Sequence, residues 1–351
     1  MKNIHNLFLL FLVFPILGFS TEEIHAISKE KNISKTFEVK DNADLNVTNS
    51  YGNVNVYLWD ESKISIQVNI KVSGNNEKKI MERINDIDVN FKSSLNQVIV
   101  ATILNGSSWS GNNNLSYEIN YIIKIPKNGN INLSNKYGNI SVDKLNGSST
   151  IESKYGNVTL GQFNNKSNAF DIAYSKNSTI NSIDKLNLKC QYSDVTIQNA
   201  NFVNIDGNYN DISFQTVDYL NLSSNYTKLN TNSIQKAMIN GNYLTLKLGE
   251  ILSVLNINSN YSDIRLATSS KTDVISINGN YTNSKISCAE NFAFDIDVAL
   301  KYGSFKDDLG IKYTDKTEKN ASKSFTGYYL SQGKSKINVK TNYGSLQLLN
   351  K

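Results

Sequence analysis

Paired carboxylates are the residues of this 351-residue chain with the clearest catalytic potential. Asp295 with Asp297, and Asp86 with Asp88, lie two apart on strand-like segments, so each pair shares one face; Asp307 and Asp308 are adjacent in a loop-like stretch. Two carboxylates on one face, helped by Lys or Arg, are the equipment of sugar-cleaving enzymes. The other acids read differently. Asp194, Asp211 and Asp263 recur beside small polar residues at equivalent places, where Asp forms turns by bonding its own backbone. Both histidines, His5 and His25, precede the body of the chain, which removes imidazole from any Ser-His dyad, zinc site or proton shuttle. Neither a phosphate-binding glycine loop, nor a Gly-x-Ser-x-Gly elbow, nor Cys-His metal spacing occurs. Cys190 and Cys288 fall 98 residues apart at unlike positions, so they are expected as small buried fillers rather than as a disulfide. No catalytic residue, metal or cofactor is expected.

Tyrosine and asparagine carry the stronger pattern. Tyr137, Tyr155, Tyr174, Tyr192, Tyr209, Tyr226, Tyr243, Tyr261, Tyr281 and Tyr302 follow one another at 17 to 21 residues, with Tyr51 and Tyr343 in the same local setting at either end. A column of aromatics with flanking Asn and Ser suits a sugar-binding face; it also suits a ladder that fills a repetitive core. The even offsets from preceding apolar positions place the rings on the apolar face, hence a structural ladder. Asn208, Asn225, Asn242, Asn260 and Asn280 precede five of these tyrosines at an odd offset that points outward. They are the candidate binding face, with a self-bonded amide stack as the alternative in a chain holding 54 asparagines.

A fixed period near 18 requires a stacked architecture. Before the tyrosine, at offsets of six and four, stand residues such as Leu220 and Leu222; small residues such as Cys190, Gly207 and Ser224 stand two before it. Apolar residues return three and five after it, as in Ile212 and Phe214. The change from even to odd offsets demands a tight corner, which Gly138-Asn139, Gly156-Asn157 and Ser193-Asp194 supply. Each repeat is strand, corner, strand and looser return. One copy buries nothing alone, whereas stacked copies bury a continuous row. The pattern predicts an all-β fold, a parallel β-helix (solenoid) of about 18 residues per coil, over a β-sandwich, whose hairpin turns recur every 8–12 residues.

Five regions follow from these patterns. Residues 1–20 read as a signal peptide, with Lys2 before the apolar run Leu7–Leu17, too short to span a bilayer. Residues 21–34 form a polar leader. Residues 35–126 form a β-rich capping section, with alternation from Ile64 to Val72 and a short surface helix near 75–85 that puts Ile80, Met81 and Ile84 on one face. Gly, Ser and Asn mark a long loop at 104–114. Residues 127–305 carry the regular repeats, and 306–351 an excursion and a closing coil. Two repeats, at Tyr174 and Tyr281, lack the apolar residue three on and are expected to bulge. The charges, net +5, are dispersed without a basic stripe, which disfavours nucleic acid as partner, and no mature segment is apolar enough to span a membrane.

Ser50-Tyr51-Gly52-Asn53-Val54, Lys136-Tyr137-Gly138-Asn139-Ile140, Lys154-Tyr155-Gly156-Asn157-Val158 and the closing Ile337-Asn338-Val339 to Tyr343-Gly344 segment together resemble a family of exported bacterial β-strand-repeat proteins described as "putative adhesins", related to the auto-transporter adhesin head domains. The resemblance covers the whole mature chain. It implies a right-handed β-helix, export, and no established catalytic site. The expected role is a non-enzymatic, adhesin-like interaction surface at the cell envelope, in the periplasm or outside the cell, toward a surface polysaccharide or an envelope protein. A β-helical lyase or glycosidase, and an envelope structural or stress-sensing protein, are the alternatives.

Overall fold

The computed structural model describes residues 27–106, 115–165 and 167–351. The signal segment and the greater part of the 104–114 loop lie outside them. The chain is all-β with one helix among the described residues, and its 26 strands belong to one continuous sheet. Parallel ladders join each stretch to the one a repeat further on, which is the pattern of a repeat solenoid. Asp194–Asn208 pairs with Asp211–Asn225, that with Lys228–Asn242, and that with Thr245–Asn260.

The interior is built by register. Val195, Ile212, Leu229, Leu246 and Ile264 stack as Cα partners after the corner. Leu188, Ile205, Leu222, Ile239, Ile257 and Ile277 stack before it. All eleven are buried. Burying a Leu or Ile side chain contributes about 1.5–3 kcal/mol, so each repeat is held by its apolar pairs above and below. Cys190 and Cys288 are buried free thiols, and burial pushes both pKa values up to about 12.

Both ends depart from the regular stack. Ile27–Glu38, Lys63–Gly74 and Ser116–Pro126 form an antiparallel extension, which joins the repeats where Ser116–Pro126 runs parallel to Val54–Trp59. The polar stretch expected as a leader thus becomes, from Ile27, an edge strand with no buried residue, which explains its polarity. The helix spans Glu77–Asp86; the Asn76 side chain caps it by accepting from the Lys79 N–H at 3.0 Å. Ile80 and Ile84 are buried, but Met81 is exposed, one position round from the face that meets the sheet.

At the other end, chain order and spatial order part company. Lys336–Asn342 lies between Val274–Asn280 and Phe294–Lys301, parallel to both. Ser345–Asn350 likewise lies between Asn283–Cys288 and Ser304–Asp307. The last segment of the chain is inserted into the stack rather than laid on its end. The far edge of Phe294–Lys301 is instead taken by an antiparallel hairpin, Lys312–Lys319 with Ser322–Tyr329. Its outer strand carries Lys312, Asp315, Lys316, Glu318 and Lys319, and charges of that kind blunt an open edge against further pairing.

The two irregular repeats behave differently. Ser178 stands four after Tyr174 and takes the register position that Val195 takes three after Tyr192. The extra residue is a bulge, held by Asn157 Oδ1 accepting from the Lys176 and Asn177 N–H groups. The Tyr281 repeat does not bulge, because Ser284 keeps register with Ile264 and Leu346 and is a buried polar filler.

Two consequences are measurable. The buried Thr231 hydroxyl has no hydrogen-bond partner among the described residues and sits in register with Phe214 and Leu248. Thr231→Val is therefore expected to raise stability by about 1 kcal/mol, read as a higher denaturation midpoint; a lower midpoint contradicts the packing. Neither thiol is expected to react with a thiol reagent at pH 8 in the folded protein, and both are expected to react once it is unfolded.

Candidate functional site

Each corner is set by its tyrosine. All twelve (Tyr51, the ten from Tyr137 to Tyr302, and Tyr343) have φ between 50° and 63°, in the left-handed region. That conformation is uncommon for a residue with a bulky side chain. It also breaks strand parity. The expectation that the rings point inward is therefore corrected: offset counting holds only while the backbone stays extended, and here it turns at the tyrosine itself. The rings stand outside the core, and Tyr137 to Tyr302 and Tyr343 are each 44–56% exposed as residues.

They form one stack. Successive centroids are 4.7–5.3 Å apart, with ring planes within 18° of parallel, in the order Tyr51, Tyr137 and onward to Tyr281, then Tyr343, then Tyr302. Tyr117 meets the outer side of Tyr51 edge-on at 4.8 Å; burial and the Tyr51 hydroxyl push its pKa up to about 12. Because the ring faces cover one another, the stack presents edges and hydroxyls rather than open faces, and a sugar ring has nowhere along it to lie flat.

Behind the rings runs a buried polar column that the sequence reading missed. The residue after the tyrosine (Ser175, Ser193, Asn210, Thr227 or Ser262) is buried, and the side-chain oxygens of Ser193, Asn210, Thr227 and Ser262 each accept the N–H of the counterpart in the preceding repeat. Thr227 and Ser262 hydroxyls also donate to the Asn225 and Asn260 carbonyls. Turn backbone that would otherwise be orphaned in the interior is satisfied in this way. In the Tyr-Gly-Asn corners the job moves one residue on: Asn53 Oδ1 accepts from Asn139 N–H, and Asn139 Oδ1 from Asn157 N–H. There the repeats approach too closely for a side chain, since a Cβ on Gly156 would fall 2.0 Å from the Gly138 carbonyl oxygen.

On the opposite side of the tyrosine, the candidate asparagines come together. Asn225 Nδ2 donates to Asn208 Oδ1 at 3.1 Å, Asn242 to Asn225 at 2.9 Å, Asn260 to Asn242 at 2.9 Å, and Asn280 to Asn260 at 2.8 Å. Asn342 extends the row by donating to Asn280 at 2.7 Å, and Lys301 and Ser322 continue it by register. A parallel row two residues back has Asn258 donating to Asn240 and Asn278 to Asn258. The self-bonded stack and the polar surface row are thus the same object, with Asn208, Asn225, Asn242 and Asn260 half-buried and Asn280 exposed.

Where these rows approach the hairpin they line a groove of about 980 Å³. Asn242, Asn260 and Asn280 contribute to it; Asn208 and Asn225 lie outside it. Lys301, Lys319, Lys323 and Lys340 also line it, and no carboxylate does. Lys301 and Lys340 stood one and three positions before tyrosines and were legible as such. Lys319 and Lys323 were not, because only the hairpin brings them there.

The acids do not assemble. Asp295 accepts from the Gly333 N–H, and Asp307 ties a turn by accepting from the Leu309, Gly310 and Ile311 N–H groups and the Tyr313 hydroxyl. Asp88 bonds its neighbour Val89. Asp194 and Asp211 are register partners at the corner, where Asp211 accepts from Asn230. No group of three metal-ligating side chains occurs among the described residues, and no helix there is long and apolar enough to cross a membrane.

No family model matches the chain, and no curated protein matches it. Among solved structures it is similar to a "putative cell adhesion protein" from Clostridium sporogenes at 12% identity and a TM-score of 0.20, over 92% of this chain and 100% of that one. It is also similar to a "putative adhesin" from Bacteroides fragilis, at 14% identity and a TM-score of 0.27, over 91% and 97%. A "putative lipid binding protein" from Parabacteroides distasonis stands at 10% identity and a TM-score of 0.29, over 91% and 96%. At such TM-scores the superpositions decide neither fold nor role; the architecture rests on the ladder registers of this chain.

Removing one ring breaks two stacks. With about 0.5–1.5 kcal/mol per aromatic pair, Tyr226→Ala is expected to cost about 1–3 kcal/mol in chemical denaturation although the residue is half-exposed. Tyr226→Phe should stay close to wild type, and an equal loss in both variants would place the stabilisation in the hydroxyl instead.

Proposed function

We propose that this protein is an exported, non-enzymatic, adhesin-like β-solenoid that recognises a repetitive surface polysaccharide through its asparagine face. The frame of the proposal is a right-handed parallel β-helix of about 18 residues per coil. It comprises a signal peptide at 1–20, a leader at 21–34, a capping section at 35–126, repeats at 127–305 and a C-terminal excursion with closing coil at 306–351. The observation that carries it is the row Asn208, Asn225, Asn242, Asn260 and Asn280, in which amides one strand apart hold each other in a fixed orientation.

Adjacent strands lie about 4.8 Å apart, so the row offers an evenly spaced set of donors and acceptors. Weak contacts to a repeating ligand add along such a row. The amides are pre-ordered by their own ladder, so little entropy is lost when a polymer binds. A protein partner fits less well, since interface cores favour apolar and aromatic anchors and deplete lysine, whereas this face is amide and lysine. Asp88, Asp295 and Asp307 are bonded to backbone N–H groups, and Asp308 to the Lys306 and Gln347 side chains, which favours binding over cleavage.

Purified residues 21–351 are expected to bind whole cells or an immobilised polysaccharide on a broad panel. Asn242→Ala, Asn260→Ala and Asn280→Ala together should weaken that binding at least tenfold while a cooperative unfolding transition persists. Failure to bind anything on the panel, or binding unchanged in the folded triple variant, contradicts the proposal.

A further inference from the structure

The groove beside the hairpin has lysines as its only charged lining, whereas further along the same face Lys189 has Asp206 as its register partner. Its floor is the outward face of successive strands, carrying Asn242, Asn260, Asn280 and then Lys340 and Lys301; the hairpin adds Lys319 and Lys323. Lys323 is 3.6 Å from Glu318, which Lys316 also reaches at 3.1 Å. Lys301, Lys319 and Lys340 are exposed and make no ion pair among the described residues. By register, Ser322 separates Lys301 from Lys319, so these two stand on alternate strands, roughly 10 Å apart. Three lysines without a carboxylate partner among the described residues therefore line a groove of about 980 Å³, with the Lys301 ammonium 5.7 Å from the Tyr302 ring centroid.

We infer that this groove binds an acidic glycan, its uronate carboxylates or sulfates taken by Lys301, Lys319 and Lys340 and its hydroxyls by the amide row. The inference rests on the polysaccharide reading above and names the ligand class. Lysine serves as a strongly hydrated point charge with three rotatable donors, which suits anions presented at varied angles along a flexible polymer. Adjacent amides donate and accept, matching hydroxyls that do both. Single-stranded nucleic acid is the other polyanion, but its sequence-tolerant binding needs open aromatic faces for the bases. The faces of the tyrosines up to Tyr343 are closed against one another, and the last ring, Tyr302, has the Lys301 ammonium over it at 5.7 Å.

Binding of residues 21–351 to polygalacturonate, dextran sulfate and neutral dextran tests this, with single-stranded DNA as competitor. The expected result is binding to one or both acidic polymers but not to dextran, weakened at least tenfold by Lys301→Gln, Lys319→Gln and Lys340→Gln together. It should also be lost near 1 M salt, where the screening length falls to about 3 Å. Which acidic polymer binds separates carboxylate from sulfate recognition. A control with the same change in net charge, Lys144→Gln, Lys228→Gln and Lys247→Gln, lies on strands after the corner and should stay within twofold of wild type. Equal loss in both triple variants would reduce the effect to net charge and overturn the groove. Dextran bound as tightly as the acidic polymers, or DNA displacing them preferentially, overturns the ligand class and leaves the polysaccharide or the binding role standing. An absence of binding to these polymers overturns the inference alone if the wider panel binds, and overturns both readings if nothing there binds.

Discussion

A tyrosine forced into the left-handed region, with its ring clamped between two others, is the interaction on which this structure depends. The conformation costs roughly 1–2 kcal/mol for an L-residue, and it is repeated at all twelve corners. A stacked aromatic pair contributes about 0.5–1.5 kcal/mol beyond the area it buries. A corner in isolation is therefore unfavourable or neutral, and becomes favourable only with neighbours above and below. Stability is lodged between repeats rather than within them, as expected where each unit contacts only its neighbours.

The corner also solves a hydrogen-bonding problem. Turning the backbone at the tyrosine sends the next residue into the interior, where its N–H has no strand partner of the ordinary kind. Ser193, Asn210 and Thr227 bring an oxygen with them and pass the requirement along the stack, each accepting from the repeat before. In the Tyr-Gly-Asn corners asparagine, one residue later, takes the same task with the opposite polarity, accepting from the repeat after. A polar column inside, an aromatic column at the rim and an amide column outside thus share one register, and a slip in any of them would break all three.

Much of this was written locally in the chain. The period, the strand–corner–strand unit, the inward Leu and Ile positions and the Ile80–Ile84 helix face all follow from spacing alone. So does the outward placement of Asn208 to Asn280, because they still sit on extended backbone, where parity holds. The tyrosine rings were misplaced for the converse reason: the turn falls on the aromatic residue and not on the Gly or Ser after it. Met81 failed by one helical position. The groove itself was hidden by topology: Lys301 and Lys340 have readable positions before their tyrosines, but they meet each other and Lys319 only after the hairpin folds back and the last segment enters the stack. That insertion has no local signature, because Lys336–Asn342 reads like any other repeat.

Spatial order at the C-terminal end is where the account is most exposed, because the tyrosine stack is continuous in space and discontinuous in sequence: Tyr281, Tyr343, Tyr302. Engineered disulfides read it directly. Asn278 and Lys340 are Cα partners on adjacent parallel strands, and Lys340 and Ala299 are the next such pair. Adjacent strands at about 4.8 Å suit a disulfide, whereas Asn278 and Ala299, two strands apart, exceed the ~7 Å limit. Oxidation of the Asn278→Cys, Lys340→Cys variant should close the bond in the folded protein, and the Asn278→Cys, Ala299→Cys variant should remain reduced. Ready bonding of the second pair and failure of the first would mean that the repeats stack in chain order, and would contradict the tyrosine stack as described.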